Sequence, residues 1–372
     1  MSEKHLELLK QLISIPSPST KEHRIAGFIS DWFEERGFDV TQLDVDVNGR
    51  KAGPTVLATF EFNKPGKSLL FAGHMDTVEP VSAWKTDPYT PVIQEGRLYG
   101  LGAYDMKSGI AALMLAAEKL SRMKLGGKIG CCLVSDFEAF STGTYVVCKS
   151  GLIDGYDGGI LPDEYMDLKG VLIETGGRII FDINLHQEGG HMVEMERFAN
   201  PLTEAATILS RLSEFGRRMM NPMAVQGGLE HLYPSVPEAC QIIIDAELLP
   251  GEAPEDATEK MRCWIGTLNL QSDISVKTYD RPTPWMRPYK IQPDEPILQC
   301  LEEVCSKHDI ELVKISTTYV ADNYYVNVAG IPMLYAIGPV GANCHAAGEY
   351  VVVDSVDKCS QLMVDVGKSF LE

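Results

Sequence analysis

The chain has 372 residues, of which 33 are basic and 52 acidic, so its formal net charge is −19. This length suits about two domains, and a content of 45% hydrophobic and 23% charged residues excludes a disordered or collagen-like chain. The acidic balance argues against nucleic acid and anionic membrane surfaces as partners.

No apolar run in the sequence reaches the length of a membrane span. The N-terminal segment carries acids and lacks the basic-then-apolar layout of a signal peptide. The nine cysteines are scattered without a CxxC motif, which predicts reduced thiols and no zinc knuckle. We therefore expect a cytoplasmic protein with no membrane partner.

The apolar pattern predicts two helices in the first forty residues and a helix from about Ser108 to Leu120. Strand-length apolar runs lie at Thr55–Phe60, Ser68–Ala72, Ile129–Val134 and Gly158–Leu161. Strands that alternate with helices favour an α/β fold, in which a mostly parallel sheet is flanked by helices.

The middle of the chain has a different order of elements. After two strands, the pattern predicts helix Leu202–Phe215, strand Gln241–Leu248, helix Glu255–Leu268 and strand Ile274–Tyr279. This order indicates a smaller inserted α+β domain, and five prolines between 280 and 296 indicate a linker back to the first domain. We predict a catalytic metal-binding domain of residues 1–168 and 284–372, interrupted by an inserted domain of residues 169–283.

Several apolar runs lead into side chains that bind metal ions: His74 and Asp76, Asp136 to Glu138, Asp163 and Glu164, and finally His345. Ligands of open α/β sheets gather at the carboxyl ends of the strands. Asp105, in a glycine-rich turn before the long helix, could bridge two ions. Two imidazoles and several carboxylates suit zinc, cobalt or manganese better than magnesium alone. Each signal is weak alone, since a lone histidine is more often structural. Together they predict a metal centre.

The motifs GHMDTV and LYGLGAYDMKSG, a D-x-E after the next strand, and HAAGEY near the C-terminus resemble those of a known family. This is the di-metal amidohydrolase and metallopeptidase family of acetylornithine deacetylase, succinyl-diaminopimelate desuccinylase, aminoacylase and carboxypeptidase G. The resemblance covers nearly the whole chain. It implies a metal-binding α/β domain interrupted by a smaller lid domain, a small-molecule substrate, and a homodimer formed through the inserted domain.

The resemblance also implies a set of ligands for two divalent metal ions, zinc in the first place and manganese or cobalt as alternatives. His74 and Asp163 would bind one ion, Glu138 and His345 would bind the other, and Asp105 would bridge the two. Asp76 would orient the ring of His74 and counts among the catalytic residues.

Two further residues follow from the resemblance, both in the inserted domain. His191 would contact the reacting carbonyl, and Asn200 falls where the family has its asparagine. Tyr324 stands where relatives often have a residue that holds the substrate carboxylate. Asn200, Tyr324 and Phe137 are therefore the predicted substrate-binding residues. Cys344, beside His345, suggests a thiol ligand or nucleophile, but no matching His or Asn pattern appears, so a small packing residue is the preferred interpretation.

One departure from the family concerns the general base. The family has Asp-Glu-Glu where this chain has Asp136-Phe137-Glu138, and a register anchored on Ser141 and Gly143 puts Phe137 at the base. A phenyl ring cannot accept a proton, and loss of a positioned base costs about 10²–10⁴ in rate.

Three hypotheses follow from this departure. The base could be relocated, with Glu164 the better and Asp136 the poorer candidate. The chemistry could be altered, as in hydrolytic deamination of an activated or aromatic amine. The protein could also be a catalytically silent, metal-binding relative. The preferred hypothesis is a metal-dependent hydrolase with Glu164 as base that cleaves a C–N bond in a small N-acyl amino acid, dipeptide or related amide.

Overall fold

A computed structural model describes residues 3–318, 320, 321 and 323–372. The chain divides into two compact units. The first unit comprises Met1–Ile173, Lys290–Ser316 and Ala321–Glu372, and the second comprises Glu174–Tyr289 and Thr317–Val320. No helix of the described segments is long and apolar enough to cross a bilayer.

The first unit opens with elements that alternate in type. They are α1 (Glu3–Ile13), α2 (His23–Glu34), β1 (Asp39–Val47), β2 (Arg50–Glu61), β3 (Ser68–His74), β4 (Val92–Gln94) and β5 (Arg97–Tyr99). Then follow α3 (Lys107–Ser121), β6 (Lys128–Val134), α4 (Thr142–Ser150), β7 (Gly158–Leu161) and β8 (Gly170–Thr175). Strand β3 is buried along its whole length, as is most of α3, because both are almost entirely apolar or small.

The second unit is an antiparallel sheet with two helices. Its elements are β9 (Gly177–His186), β10 (Gly190–His191), α5 (Pro201–Ser210), β11 (Met220–Gly227), β12 (Ser235–Val236), β13 (Ala239–Leu248), α6 (Pro254–Gly266) and β14 (Asp273–Thr278). The main strands lie in the order β11-β13-β9-β14. Its core joins alternate strand residues such as Phe181 and Ile242 to Ile208 of α5 and Met261 of α6.

Two features of this unit differ from the sequence-based expectation. The predicted helix 202–215 is two helices, because the backbone leaves helical geometry at Arg211 (φ −104°, ψ 6°) and continues as a 3₁₀ turn, Leu212–Phe215. Strand β11 carries no apolar alternation that predicts it. Its side chains are mostly exposed at an edge of the sheet, so backbone pairing with β13 defines the strand.

The chain then returns to the first unit. The remaining elements are β15 (Tyr289–Lys290), α7 (Pro296–Lys307), β16 (Val313–Ser316), α8 (Asn323–Val328), β17 (Met333–Ala336), β18 (Gly341–Ala342), β19 (Tyr350–Val352) and α9 (Val353–Leu371). Helix α9 packs closely on α3, since a methyl group on Gly367 would lie 2.6 Å from the Leu120 side chain.

The central sheet runs in the order β1-β2-β6-β3-β7-β17-β8-β15, and β16 also pairs with β8. Strands β6, β3, β7 and β17 are parallel neighbours, whereas β1, β2 and β8 pair antiparallel at the flanks. The predicted α/β fold with a mainly parallel sheet flanked by helices is therefore confirmed. The carboxyl ends of all four parallel strands meet at one edge, where the candidate metal-binding side chains lie.

The first unit extends to Ile173, beyond the predicted limit at 168. The cause is strand β8, whose Val171 and Leu172 pair with Ala336 and Tyr335 of β17. Because β8 is a strand of the central sheet, it belongs to the first unit.

Gly338, just after β17, is a point where two loops of the first unit touch. An added Cβ would lie 1.7 Å from the backbone oxygen of Asp163, and the Gly338 carbonyl accepts the Leu168 N–H (2.8 Å). We expect Gly338→Ala to lower the free energy of unfolding by about 2 kcal/mol through overpacking, measured by urea denaturation. Gly266→Ala, at an uncrowded helical position, is the control and should change stability by less than about 1 kcal/mol. Equal effects of both substitutions would contradict the close contact.

Candidate metal centre

The five side chains that the sequence suggested as ligands lie together, with Asp105 at their centre. Oδ1 of Asp105 is 3.0 Å from His74 Nε2, and Oδ2 is 3.0 Å from His345 Nε2. His345 Nε2 is also 3.0 Å from Glu138 Oε1, and His74 Nε2 is 3.7 Å from Asp163 Oδ2. His74, Asp105 and Asp163 are buried, whereas the His345 side chain is 48% exposed and opens the cluster to solvent.

Asp105 lies in a turn whose backbone is held by Glu349. The buried Glu349 carboxylate accepts the N–H groups of Gly102 (3.0 Å), Tyr104 (2.8 Å) and Asp105 (3.1 Å). Burial raises the pKa of Glu349 to about 7, although these three donors oppose the shift. The GEY portion of the HAAGEY motif thus supports the glycine-rich turn, a contact that the motif alone did not indicate.

Asp76 connects the ends of two parallel strands. Its Oδ1 lies 3.6 Å from His74 Nδ1 and accepts the Phe137 N–H (3.0 Å). Its Oδ2 accepts the Glu138 N–H (3.1 Å) and the Ser19 hydroxyl (2.6 Å). The Asp76 carboxylate therefore holds the backbone that presents Glu138, and the Asp76 backbone carbonyl is the hydrogen-bond partner of His74 Nδ1 (3.0 Å).

Asp136 has a different, supporting role. Arg50 donates two hydrogen bonds to its two oxygens, and Thr142 donates a third (2.7 Å). Glu22 holds the same loop by accepting the Asp136 N–H (2.9 Å) and the Gly53 N–H (2.8 Å). Because both carboxylate oxygens of Asp136 are engaged and buried, it is a poor candidate for a base.

The donor set fits divalent cations. Three groups of donors have ligand atoms within 4.8 Å of one another: His74 with Asp105 and Glu138, Asp105 with Asp163 and Glu164, and Asp105 with Cys344 and His345. Asp163 Oδ2 is buried and makes no hydrogen bond. A buried carboxylate oxygen without a partner is costly, and a cation between it and His74 would satisfy it.

The pKa values of these groups reflect the same crowding. Burial raises the pKa of Asp163 well above its ordinary range, and burial together with Asp105 raises the pKa of Glu138 to about 7. Hydrogen bonds to Asp105 and Glu138 raise the pKa of His345 to about 10. Burial alone would raise the pKa of Asp105, but hydrogen bonds from His345 and His74 hold it below its ordinary value. These raised pKa values favour the protonated groups, and protons on them reduce the negative charge of the cluster, as bound cations would.

Phe137, which the motif register predicts at the position of the family's base, stacks on a candidate ligand. Its ring is parallel to the His74 imidazole, with an interplanar angle of 7° and a centroid distance of 4.2 Å. The ring also borders a small apolar cavity lined by Leu70, Val134 and Leu161. The side chain therefore shields one face of His74 and offers no proton acceptor.

Glu164, the candidate for a relocated base, lies within the cluster. Its Oε2 accepts a hydrogen bond from the Tyr335 hydroxyl (2.6 Å). Its carboxylate also lies within 4.8 Å of ligand atoms of Asp105 and Asp163. Burial, and then the charge of Asp105, raise the pKa of Glu164. A carboxylate in this position can either hold a proton or contribute an oxygen to a cation.

Cys344 was interpreted from sequence as a packing residue, but its sulfur faces the cluster. Sγ lies 3.1 Å from Oδ2 of Asp105. Burial and Asp105 raise the pKa of the Cys344 thiol. The only sequence signal for this placement is adjacency to His345.

The remaining predicted residues have local contacts that the sequence did not indicate. In the second unit, exposed His191 accepts the Val193 N–H at Nδ1 (3.2 Å), and Asn200 caps α5 by accepting the Leu202 N–H (3.0 Å). Tyr324 lies in α8 of the first unit, with its ring 5.4 Å from that of Tyr325. Their roles in binding a substrate stay predictions.

Comparison with known proteins identifies a matching family and a similar relative. A sequence model of peptidase family M20/M25/M40 matches residues 70–368. Succinyl-diaminopimelate desuccinylase of Sulfurovum sp. (strain NBC37-1) is 25% identical over 390 aligned positions, covering 99% of each chain.

Two solved structures share the fold over nearly the whole chain. The M20 family metallo-carboxypeptidase Sso-CP2 from Sulfolobus solfataricus superposes with a TM-score of 0.81 at 18% identity, covering 100% of this chain and 99% of the other. A dinuclear metal binding peptidase of Bacillus subtilis, YXEP, superposes with a TM-score of 0.72 at 15% identity, covering 99% and 98%.

The pairing of Arg50 with Asp136 makes a stability prediction. We expect Arg50→Met to lower the free energy of unfolding by about 3 kcal/mol, because it leaves a buried carboxylate without its charged partner. Urea denaturation measures the loss. Lys21→Met, which removes an exposed pair with Glu79 (2.7 Å), is the control and should cost less than about 1 kcal/mol. If Arg50→Met lowered the free energy of unfolding no more than Lys21→Met, the result would show that the loop holds Asp136 without Arg50.

Proposed function

Because the chain belongs to peptidase family M20/M25/M40, a family of metal-dependent hydrolases, we propose that it hydrolyses the C–N amide bond of a small N-acyl amino acid, dipeptide or related amide. The observation that carries the proposal is the gathering of two imidazoles and two further carboxylates around Asp105. The relatives that act as a desuccinylase and a carboxypeptidase support an amide bond as the target.

The proposed ligand set has two halves. His74 and Asp163 would hold one divalent cation, Glu138 and His345 would hold the other, and Asp105 would contribute to both. The unpartnered Oδ2 of Asp163 supports the first half, and the approach of His345 to both carboxylates supports the second. Mixed nitrogen and oxygen donors favour zinc, with manganese and cobalt as alternatives.

When bound, such a pair of cations polarises the scissile carbonyl and lowers the pKa of a water molecule. The residues of this chain supply the other requirements. Asp76 holds the His74 ring through its backbone carbonyl and the backbone of Glu138 through its carboxylate, so the donors are arranged before substrate binds. His191 donates a hydrogen bond to the carbonyl oxygen, and Asn200 and Tyr324 contact the ends of the substrate.

Glu164 takes the proton of the attacking water in place of the family's glutamate. Two features support this assignment: Glu164 lies beside Asp105 and Asp163, and Phe137 has no proton acceptor. The Tyr335 hydroxyl donates a hydrogen bond to Oε2 of Glu164 and so orients the carboxylate. Phe137 itself provides an apolar surface against the substrate.

A homodimer formed through the second unit is part of the proposal. Strand β11 is an edge of its sheet, and its Met223 and Val225 side chains are 46% and 49% exposed. An exposed apolar edge strand favours pairing with another chain.

The ligand assignment makes a metal-binding prediction. Wild-type protein should bind about two zinc ions per chain and unfold at a higher temperature with zinc than after chelation. Asp163→Asn should reduce the zinc content to about one ion per chain, because the substitution removes an anionic donor from only one half of the ligand set. Elemental analysis and calorimetry measure both effects. Asp39→Asn, at an exposed site of β1, is the control. Two tightly held ions in Asp163→Asn would contradict the assignment.

The proposed base makes a kinetic prediction. In a screen of N-acyl amino acids, dipeptides and aryl amines for amine release, wild type should cleave an amide. Glu164→Gln should lower kcat by about 10²–10⁴ without changing metal content. Glu311→Gln, at an exposed site, serves as the control. Loss of metal from Glu164→Gln would instead identify Glu164 as a ligand.

A silent metal-binding relative is the second candidate, favoured by the stacking of Phe137 on His74. It requires two bound ions without turnover of any compound in the same screen. Gain of amine release in Phe137→Glu would then support it and contradict the relocated base. Turnover of aryl amines alone would indicate a deaminase.

A further inference from the structure

Cys344 contributes a sulfur atom to the edge of the metal centre. Its Sγ is 3.1 Å from Oδ2 of Asp105, and the same oxygen is 3.0 Å from His345 Nε2. Sulfur, imidazole nitrogen and carboxylate oxygen all lie within 4.8 Å of one another, which is the spacing of donors that share one ion. Neither the motifs of the family nor the proposed ligand set includes this sulfur.

The backbone turns the two adjacent side chains toward one point. In an extended chain neighbouring side chains face opposite ways, but Asn343 and His345 have left-handed φ values of 63° and 60°. This local geometry is costly for residues other than glycine. It brings Cys344 and His345 together on the same oxygen of Asp105.

Two neighbouring features accompany the sulfur. Tyr165 lies beside Cys344, and the Tyr165 N–H donates a hydrogen bond to the Tyr104 hydroxyl (2.6 Å). Separately, Oδ2 of Asp163, in the donor group that Asp163 forms with Asp105, is buried and makes no hydrogen bond. A cation beside Asp105 would give this oxygen a partner.

We propose that Cys344 is a thiolate ligand of the cation held by Glu138 and His345, and that it makes the centre prefer thiophilic ions over manganese. The inference rests on the proposed di-metal function. On binding, the S–H bond breaks, its proton leaves to solvent, and the sulfur electron pair forms the bond to the metal without any change of oxidation state. Thiolate ligands select zinc, cobalt and cadmium over the harder manganese ion.

Cobalt titration tests the inference, because a thiolate bound to Co²⁺ has a charge-transfer absorption in the near ultraviolet. Wild type, Cys344→Ser, Cys344→Ala and the exposed-cysteine control Cys263→Ser are compared, with cobalt content measured by elemental analysis. We expect the absorption in wild type and Cys263→Ser and its loss in both Cys344 variants, which keep bound cobalt through their other donors. Calorimetry should show that Cys344→Ser lowers the affinity for Cd²⁺ relative to Mn²⁺ by at least roughly tenfold.

The outcomes separate this inference from the proposed function. Cobalt bound at about two ions per chain without the absorption, or with an absorption that Cys344→Ala leaves unchanged, would overturn the thiolate ligand and leave the metal centre intact. Failure of wild type to bind cobalt or zinc would overturn both. The serine and alanine variants are compared, and their cobalt content shows whether they are folded. A loss of absorption caused by misfolding is thereby distinguished from loss of the thiolate ligand.

Discussion

Repulsion among buried carboxylates is the constraint on which the rest of the first unit depends. Asp76, Asp105 and Asp163 are almost completely buried, and Glu138 and Glu164 lie within reach of them. Burial of several anions together is strongly unfavourable unless positive charge accompanies them. Two imidazoles meet only part of this need, and divalent cations would meet the rest.

The scaffold holds these groups mainly with backbone donors. Asp76 and Glu349 accept N–H groups from the Phe137 loop and from the turn that carries Asp105. Arg50 neutralises Asp136, so the loop that presents Glu138 does not add an unpaired charge. Because such contacts do not depend on a bound ion, the site is organised by the fold, and a cation would enter an arrangement that already exists.

The centre presents two side chains that the motifs did not place as ligands, while the fold is shared with solved structures of the family. The ring of Phe137 stacks on His74, and the Cys344 sulfur lies beside Asp105. Under the proposed function, Phe137 makes Glu164 the base, and Cys344 gives the centre a soft donor. The metal and the substrate are properties that family membership alone leaves open.

The amino-acid sequence determined the main elements of the first unit and their order, because local apolar periodicity is enough to define them. It predicted β3, β6, β7 and most of α3, and the motifs at the strand ends indicated the five residues that lie together around Asp105. Tertiary structure alone decided what those residues contact. Glu349 lies 244 residues from the Asp105 N–H that it accepts, and Arg50 lies 86 residues from Asp136. The stacking of Phe137 on His74 and the edge pairing of β11 likewise depend on neighbours distant in sequence. Periodicity records which face of an element is buried, whereas the partners on that face are set only when the chain folds.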